Sequence, residues 1–122
     1  MINKVHIENS VAPDFVQNSV TRINAIFEEQ GVLSQHDPFF KPRAGQTDMA
    51  HAVADAIQNC ETLVVEAGTG VGKTYAYLVP ALLSGERVII STATKTLQDQ
   101  LFGRDLPNLV DMLGMPVKTA LL

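Results

Sequence analysis

Ala67-Gly68-Thr69-Gly70-Val71-Gly72-Lys73-Thr74 is the stretch that decides how the rest of the chain is read. Ahead of it, Thr62-Leu63-Val64-Val65-Glu66 is short, apolar and β-branched, the pattern of a buried strand. Behind it, Tyr75-Ala76-Tyr77-Leu78-Val79-Pro80-Ala81-Leu82-Leu83 is long enough for a helix and is closed by Gly85. Strand, glycine-rich loop and helix in that order form the context of a phosphate loop. The glycines permit backbone conformations that a side chain blocks, so several N–H groups can converge on phosphate oxygens at the positive end of a helix. Lys73 adds a full charge at the β/γ-phosphates, and the Thr74 hydroxyl suits Mg²⁺. The strict pattern starts with Gly where this chain has Ala67, a position alanine can hold if its φ is negative. The bland alternative is a glycine-rich turn with an exposed lysine. The agreement of strand, loop and helix speaks against it.

Bulk properties bound the rest. The chain has 122 residues, about one small domain. Its net charge of -4 gives no global nucleic-acid footprint, although a local patch is compatible with it. Cys60 is the single cysteine, so neither a disulfide framework nor a cysteine metal cage can form within the chain, and a reducing compartment is expected. Met1-Ile2-Asn3-Lys4-Val5-His6 lacks the apolar core of a signal peptide. No apolar run approaches the roughly 18 residues that span a bilayer. A soluble, cytoplasmic protein without a membrane partner is expected. The last segment, residues 116–122, reads as a strand in which the chain stops, and no Asp-Glu pair follows an apolar strand after the loop. The chain is therefore expected to be the N-terminal piece of a larger protein.

Residues 1–12 carry no strong period and read as irregular. Asp14 is then placed to cap a helix running to about Gln30, with Gly31 as its stop. Val16, Val20, Ile23 and Phe27 recur at helical spacing with Ile26 beside them, so the helix is amphipathic and must pack on something. It either docks on the nucleotide domain or receives a partner. Residues 31–43 read as a linker, since Asp37-Pro38 and Lys41-Pro42 disfavour helix before each proline. Phe39 and Phe40 within it are core plugs, or one of them stacks on a base. From about Ala44 to Asn59, Gln46, Met49, Val53 and Ile57 share one face of an alanine-rich helix. Gln46 is an ordinary helix glutamine or a reader of adenine, whose N6/N7 edge its amide matches. A phosphate loop downstream favours the second. His51 reads as solvated or in a polar contact, and Cys60 as a small packed residue.

Arg87-Val88-Ile89-Ile90-Ser91 reads as a second strand, which with the first and the intervening helix makes a βαβ unit with a parallel pair. Pro80 should bend or shorten that helix. Ser91-Thr92-Ala93-Thr94-Lys95 leads into a further helix, with Leu97 and Leu101 toward the core and Gln98, Gln100 and Arg104 polar. Loops at the carboxyl end of a parallel sheet bind ligands, so Thr92, Thr94 and Lys95 either hold a nucleic-acid phosphate or are an N-cap and a solvated lysine. A short helix from Leu106 to Leu113, stopped by Gly114, precedes the terminal strand.

Taken together, Phe40-Lys41-Pro42-Arg43 with Gln46, the loop from Glu66 to Thr74, Ser91-Thr92 with Leu97-Gln98-Asp99-Gln100-Leu101, and Arg104-Asp105-Leu106-Pro107 resemble the start of a DinG/YoaA-type helicase. These are bacterial relatives of XPD in helicase superfamily 2, and the resemblance covers about residues 38 to 122. The Ala67 start of the loop is normal there. The resemblance implies an α/β, RecA-like P-loop NTPase with a parallel sheet that is incomplete in this chain and preceded by an N-terminal amphipathic helix. Residues 1–37 would be that helix and a linker, and residues 38–122 the first part of motor domain 1. It implies an ATP-dependent helicase that moves 5′ to 3′ on single-stranded DNA in repair. ATP would be bound by Arg43, Gln46, Ala67, Gly68, Thr69, Gly70, Val71, Gly72, Lys73 and Thr74. Lys73 and Thr74 would be catalytic, with Thr74 on Mg²⁺. DNA would be touched by Thr92, Thr94, Lys95 and Gln98. Many members carry an iron–sulfur cluster, but Cys60 matches none of its ligands. Another P-loop NTPase and a non-catalytic nucleotide-binding or interaction module are the alternatives. In the RecA-like class a later strand inserts beside the loop strand, so Leu63, Val64 and Val65 are expected to be left uncovered in this chain alone.

Overall fold

A computed structural model describes residues 13–68, 70 and 72–122. The irregular stretch expected at residues 1–12 lies outside them. Six α-helices follow in order: α1 (Pro13–Phe27), α2 (Val32–His36), α3 (Ala44–Asn59), α4 (Lys73–Leu83), α5 (Lys95–Gln100) and α6 (Leu106–Leu113). A π-helical turn, Leu101–Asp105, joins the last two.

The helices build one apolar cluster. Ile23 and Phe27 of α1, Leu33 of α2, Ala50 of α3, Leu78 of α4 and Leu109 of α6 are all buried in it. Each large aliphatic or aromatic side chain among them contributes about 1.5–3 kcal/mol on burial. The amphipathic α1 thus docks on α3 and α4, one of its two expected roles. The contact is also polar: His51 Nε2–H on α3 donates to Asn24 Oδ1 on α1 at 2.8 Å.

Local chemistry explains most helix ends. α1 begins at Pro13, so Asp14 stands inside the first turn rather than at the cap. It ends at Phe27, short of the expected Gln30. Gly31 then has an ordinary φ of -79° but is buried, and a Cβ there would collide with the Ala25 and Ile26 carbonyls. That glycine is a close-approach residue, not a left-handed stop. α2 occupies part of the expected linker, because burying Leu33 stabilises a single turn that Asp37-Pro38 then ends. α3 closes with Glu61 N–H donating to Ala56 O at 2.9 Å and Cys60 N–H to Ile57 O at 3.3 Å. This paired arrangement needs a left-handed residue, here Cys60 at φ 55°, which is exposed rather than packed. Pro80 lies inside α4, which continues to Leu83.

The expected strands form no ladder. Among the described residues, 62–66, 87–91 and 116–122 contain neither helix nor strand. Parallel strands are stable when both faces are covered. Here Val64 is 90% and Ile89 70% exposed, so no second layer covers them. Leu63 is half-buried, against Val53 and Ile57. Leu97, expected in the core, is 49% exposed, while Leu101 is buried as expected.

Candidate nucleotide-binding site

The phosphate loop leaves residue 66 and enters α4 at Lys73. Gly70 and Gly72 sit at φ +83° and +79°, where a side chain is strained. Gly72 caps α4, so the unpaired N–H groups of the first helical turn and the positive end of the helix dipole face the loop. Lys73 Nζ–H donates to the Ala67 carbonyl at 3.0 Å, spanning the mouth of the loop. Gly68 is exposed, and Thr69 and Val71 lie outside the described residues. Thr74 is half-buried, one turn before Tyr77 on the same helix.

Gln46 joins α3 to this loop. It is one of the few buried polar residues, 4% exposed, and its Nε2–H donates to the Gly72 carbonyl at 3.0 Å. The space a Gly72 side chain would fill is taken by the Gln46 amide. The contact fixes the amide orientation, since only its NH₂ end can face a carbonyl. One further Nε2 proton and Oε1 then remain, one donor and one acceptor. Arg43 caps α3 with its carbonyl accepting from Gln46 N–H at 3.1 Å, and its own side chain is exposed. The two aromatics before it divide: Phe40 packs on the core, and Phe39 is 87% exposed.

Two tyrosines on α4 were not singled out by sequence pattern. Burial pushes the Tyr75 phenol above 10.0, and the Asp105 carboxylate adds to this, while Arg104 opposes it and Asp37 adds again. Burial likewise raises Tyr77, against the bond from Thr74 and with a further push from Asp105. Their position three and five residues after Gly72 at the head of a helix was the available signal.

The residues proposed to touch DNA lie at α5. Thr94 caps that helix, its hydroxyl accepting from Leu97 N–H at 3.2 Å. Thr92 Oγ1–H donates to the Thr94 carbonyl at 3.0 Å. Lys95 is exposed, and Gln98 is half-buried beside Thr92 along a groove of about 590 Å³. Both threonine hydroxyls are therefore engaged locally, leaving Lys95 as the freely projecting charge at this helix start.

The donor set suits Mg²⁺ held mainly by phosphate and water: Thr74 offers one hydroxyl, and no group of three or more His, Cys, Asp or Glu side chains able to hold a metal occurs among the described residues. Cys60, the one cysteine of this chain, is exposed at the C-terminal end of α3 and cannot by itself hold an iron–sulfur cluster. No helix among the described residues is long and apolar enough to cross a membrane.

Comparison with known proteins places the chain in a family. The sequence profile of DEAD/DEAH box helicases matches residues 46–120. ATP-dependent DNA helicase YoaA of Haemophilus influenzae is 56% identical over 101 residues, 83% of this chain and 16% of that protein. YoaA of Escherichia coli is 54% identical over 96 residues, 79% of this chain and 15% of that protein. A Bacillus subtilis protein named 3′-5′ exonuclease DinG is 43% identical over 94 residues, 74% of this chain and 10% of that protein. The chain thus spans a small fraction of the length of these curated relatives. No solved structure matches it.

Proposed function

Because the chain belongs to the DEAD/DEAH box helicase family, we propose that it carries the ATP-binding part of an ATP-dependent DNA helicase of the DinG/YoaA type. The observation that carries this is the closed loop: Gln46 and Lys73 each engage a phosphate-loop carbonyl, both within the matched family segment. Lys73 exchanges the Ala67 carbonyl for β/γ-phosphate oxygens, and its charge stabilises the negative charge that develops there. Gly70 and Gly72 let the loop N–H groups converge on the same oxygens. Thr74 would offer its hydroxyl to Mg²⁺, which when bound would neutralise charge on the phosphates. Gln46 keeps its bond to Gly72 and offers its remaining donor and acceptor to the adenine edge, with Arg43 alongside.

On this reading residues 62–66, 87–91 and 116–122 are strands of the parallel sheet of motor domain 1, which begins near residue 38, and residues 1–37 form the preceding helix and linker. The exposed Val64 and Ile89 are what the rest of that sheet covers. The substrate is single-stranded DNA, tracked 5′ to 3′ in cytoplasmic DNA repair, with Thr92, Thr94, Lys95 and Gln98 at the strand.

The test uses the full-length protein. ATP hydrolysis should rise on adding single-stranded DNA, and a 5′-tailed duplex should be unwound in preference to a 3′-tailed one. Hydrolysis indifferent to DNA would reject the helicase and favour another P-loop NTPase. No hydrolysis with tight ATP binding would favour a non-catalytic module.

A further inference from the structure

The π-helical turn between α5 and α6 has a cause in the sequence. Pro107 has no N–H to give the Gly103 carbonyl, and in a regular α-helix its ring would press on that carbonyl. The chain instead closes a wider turn, in which Leu106 N–H donates to Leu101 O. The wider turn also serves packing. Leu101 and Leu109 are both buried, yet eight residues of regular α-helix would set them about 80° apart.

On one side of this turn stands α5, none of whose residues is buried. Its register to the rest of the molecule passes through Leu101, its neighbour in the turn. On the other side stands Tyr75 of α4, two residues after Lys73, which packs on the same apolar cluster as Leu101 and Leu106. The charged groups that act electrostatically on the Tyr75 phenol are Asp105 and Arg104 of the turn and Asp37 after α2. Arg104 and Asp105 are themselves paired at 3.0 Å. The phosphate-loop helix and the π-helical turn thus share one apolar cluster, and α5 leads directly into that turn.

We propose that Gly103 and Pro107 are positioning residues: they hold the turn open, so that nucleotide at the head of α4 reorients α5 through Tyr75. This rests on the assignment of α5 to DNA. A side chain at Gly103 would meet no atom within 4 Å, so Gly103→Ala stiffens the turn without a clash. Pro107→Ala restores the missing N–H.

The experiment measures single-stranded DNA affinity of the full-length protein with and without a non-hydrolysable Mg-ATP analogue. The ratio of the two is the coupling. The double variant Gly103→Ala/Pro107→Ala should bring the ratio to within about twofold of one, while analogue affinity without DNA stays within about twofold of wild type. Should the double variant melt early, Gly103→Ala alone is read and should lower the ratio in the same direction. Lys95→Ala should weaken DNA binding and also bring the ratio closer to one, because it removes a contact that the reoriented α5 carries. A wild-type ratio of one, or a ratio kept by the folded variants, overturns the hinge. Unchanged DNA affinity in Lys95→Ala overturns the α5 assignment instead.

Discussion

Gly72 meets two demands at once. Its φ of +79° lies where an L side chain costs about 1–2 kcal/mol, and the Gln46 amide fills the space its Cβ would take. Gly72→Ala should therefore lower stability by at least about 1–2 kcal/mol, read as a fall in the denaturant midpoint. A midpoint equal to wild type would show that the loop does not adopt this conformation. Gln46→Ala separates base from phosphate. It should weaken ATP by about tenfold or more and GTP by less, since a good bidentate base contact is worth about 1–3 kcal/mol. Equal losses for the two nucleotides would leave Gln46 as a strut of the loop alone. The side-chain chemistry of both residues was legible in the sequence, because loop glycines and an amide in the first helical turn are local signals. Their mutual contact was not, because 26 residues separate them and no local pattern reports a meeting of two helices.

Helices were legible where one cause decided them. α3 runs from Ala44 to Asn59 as its alanines and apolar face predict. α2 escaped notice because a five-residue helix is marginal by itself and depends on burying Leu33. The π-helical turn was hidden because Pro107 and the five-residue step from Leu101 to Leu106 look like a helix start. The exposure of Leu97 is likewise set by α5 standing clear of the core. At α5, Lys95→Ala should weaken single-strand binding about equally on all sequences and reduce the salt slope by about one contact. An unchanged slope would return Lys95 to the solvated surface. At α4, Tyr75 and Tyr77 titrate higher in the folded state than their ordinary 10.0. The folded state thus holds protons that the unfolded state releases first. This contribution is fully present below pH 10 and is lost as pH rises through the folded values. Thermal melts should fall above pH 10, and less steeply in Tyr75→Phe than in wild type. Identical slopes would show that the phenol is not shielded.

The described residues divide into a packed helical cluster and three apolar segments without ladders. Helix–helix packing can complete itself within this chain, as the burial of Ile23, Phe27, Leu33 and Leu109 shows. No sheet forms among the described residues: strands of a parallel sheet need neighbours and a covering layer, and Val64 and Ile89 are left exposed. The pattern of residues 62–66 and 87–91 states what those segments are suited to, and only their surroundings decide whether they pair. The loop between residue 66 and α4 carries the proposed function. Hydrolysis of Mg-ATP by the full-length Lys73→Ala variant, with single-stranded DNA at saturation, tests it most directly. The loss of the fixed cation at the γ-phosphate should lower kcat by about 10²–10³-fold or more, while the variant stays folded. Hydrolysis within about tenfold of wild type would contradict the assignment of this loop as the site of ATP hydrolysis.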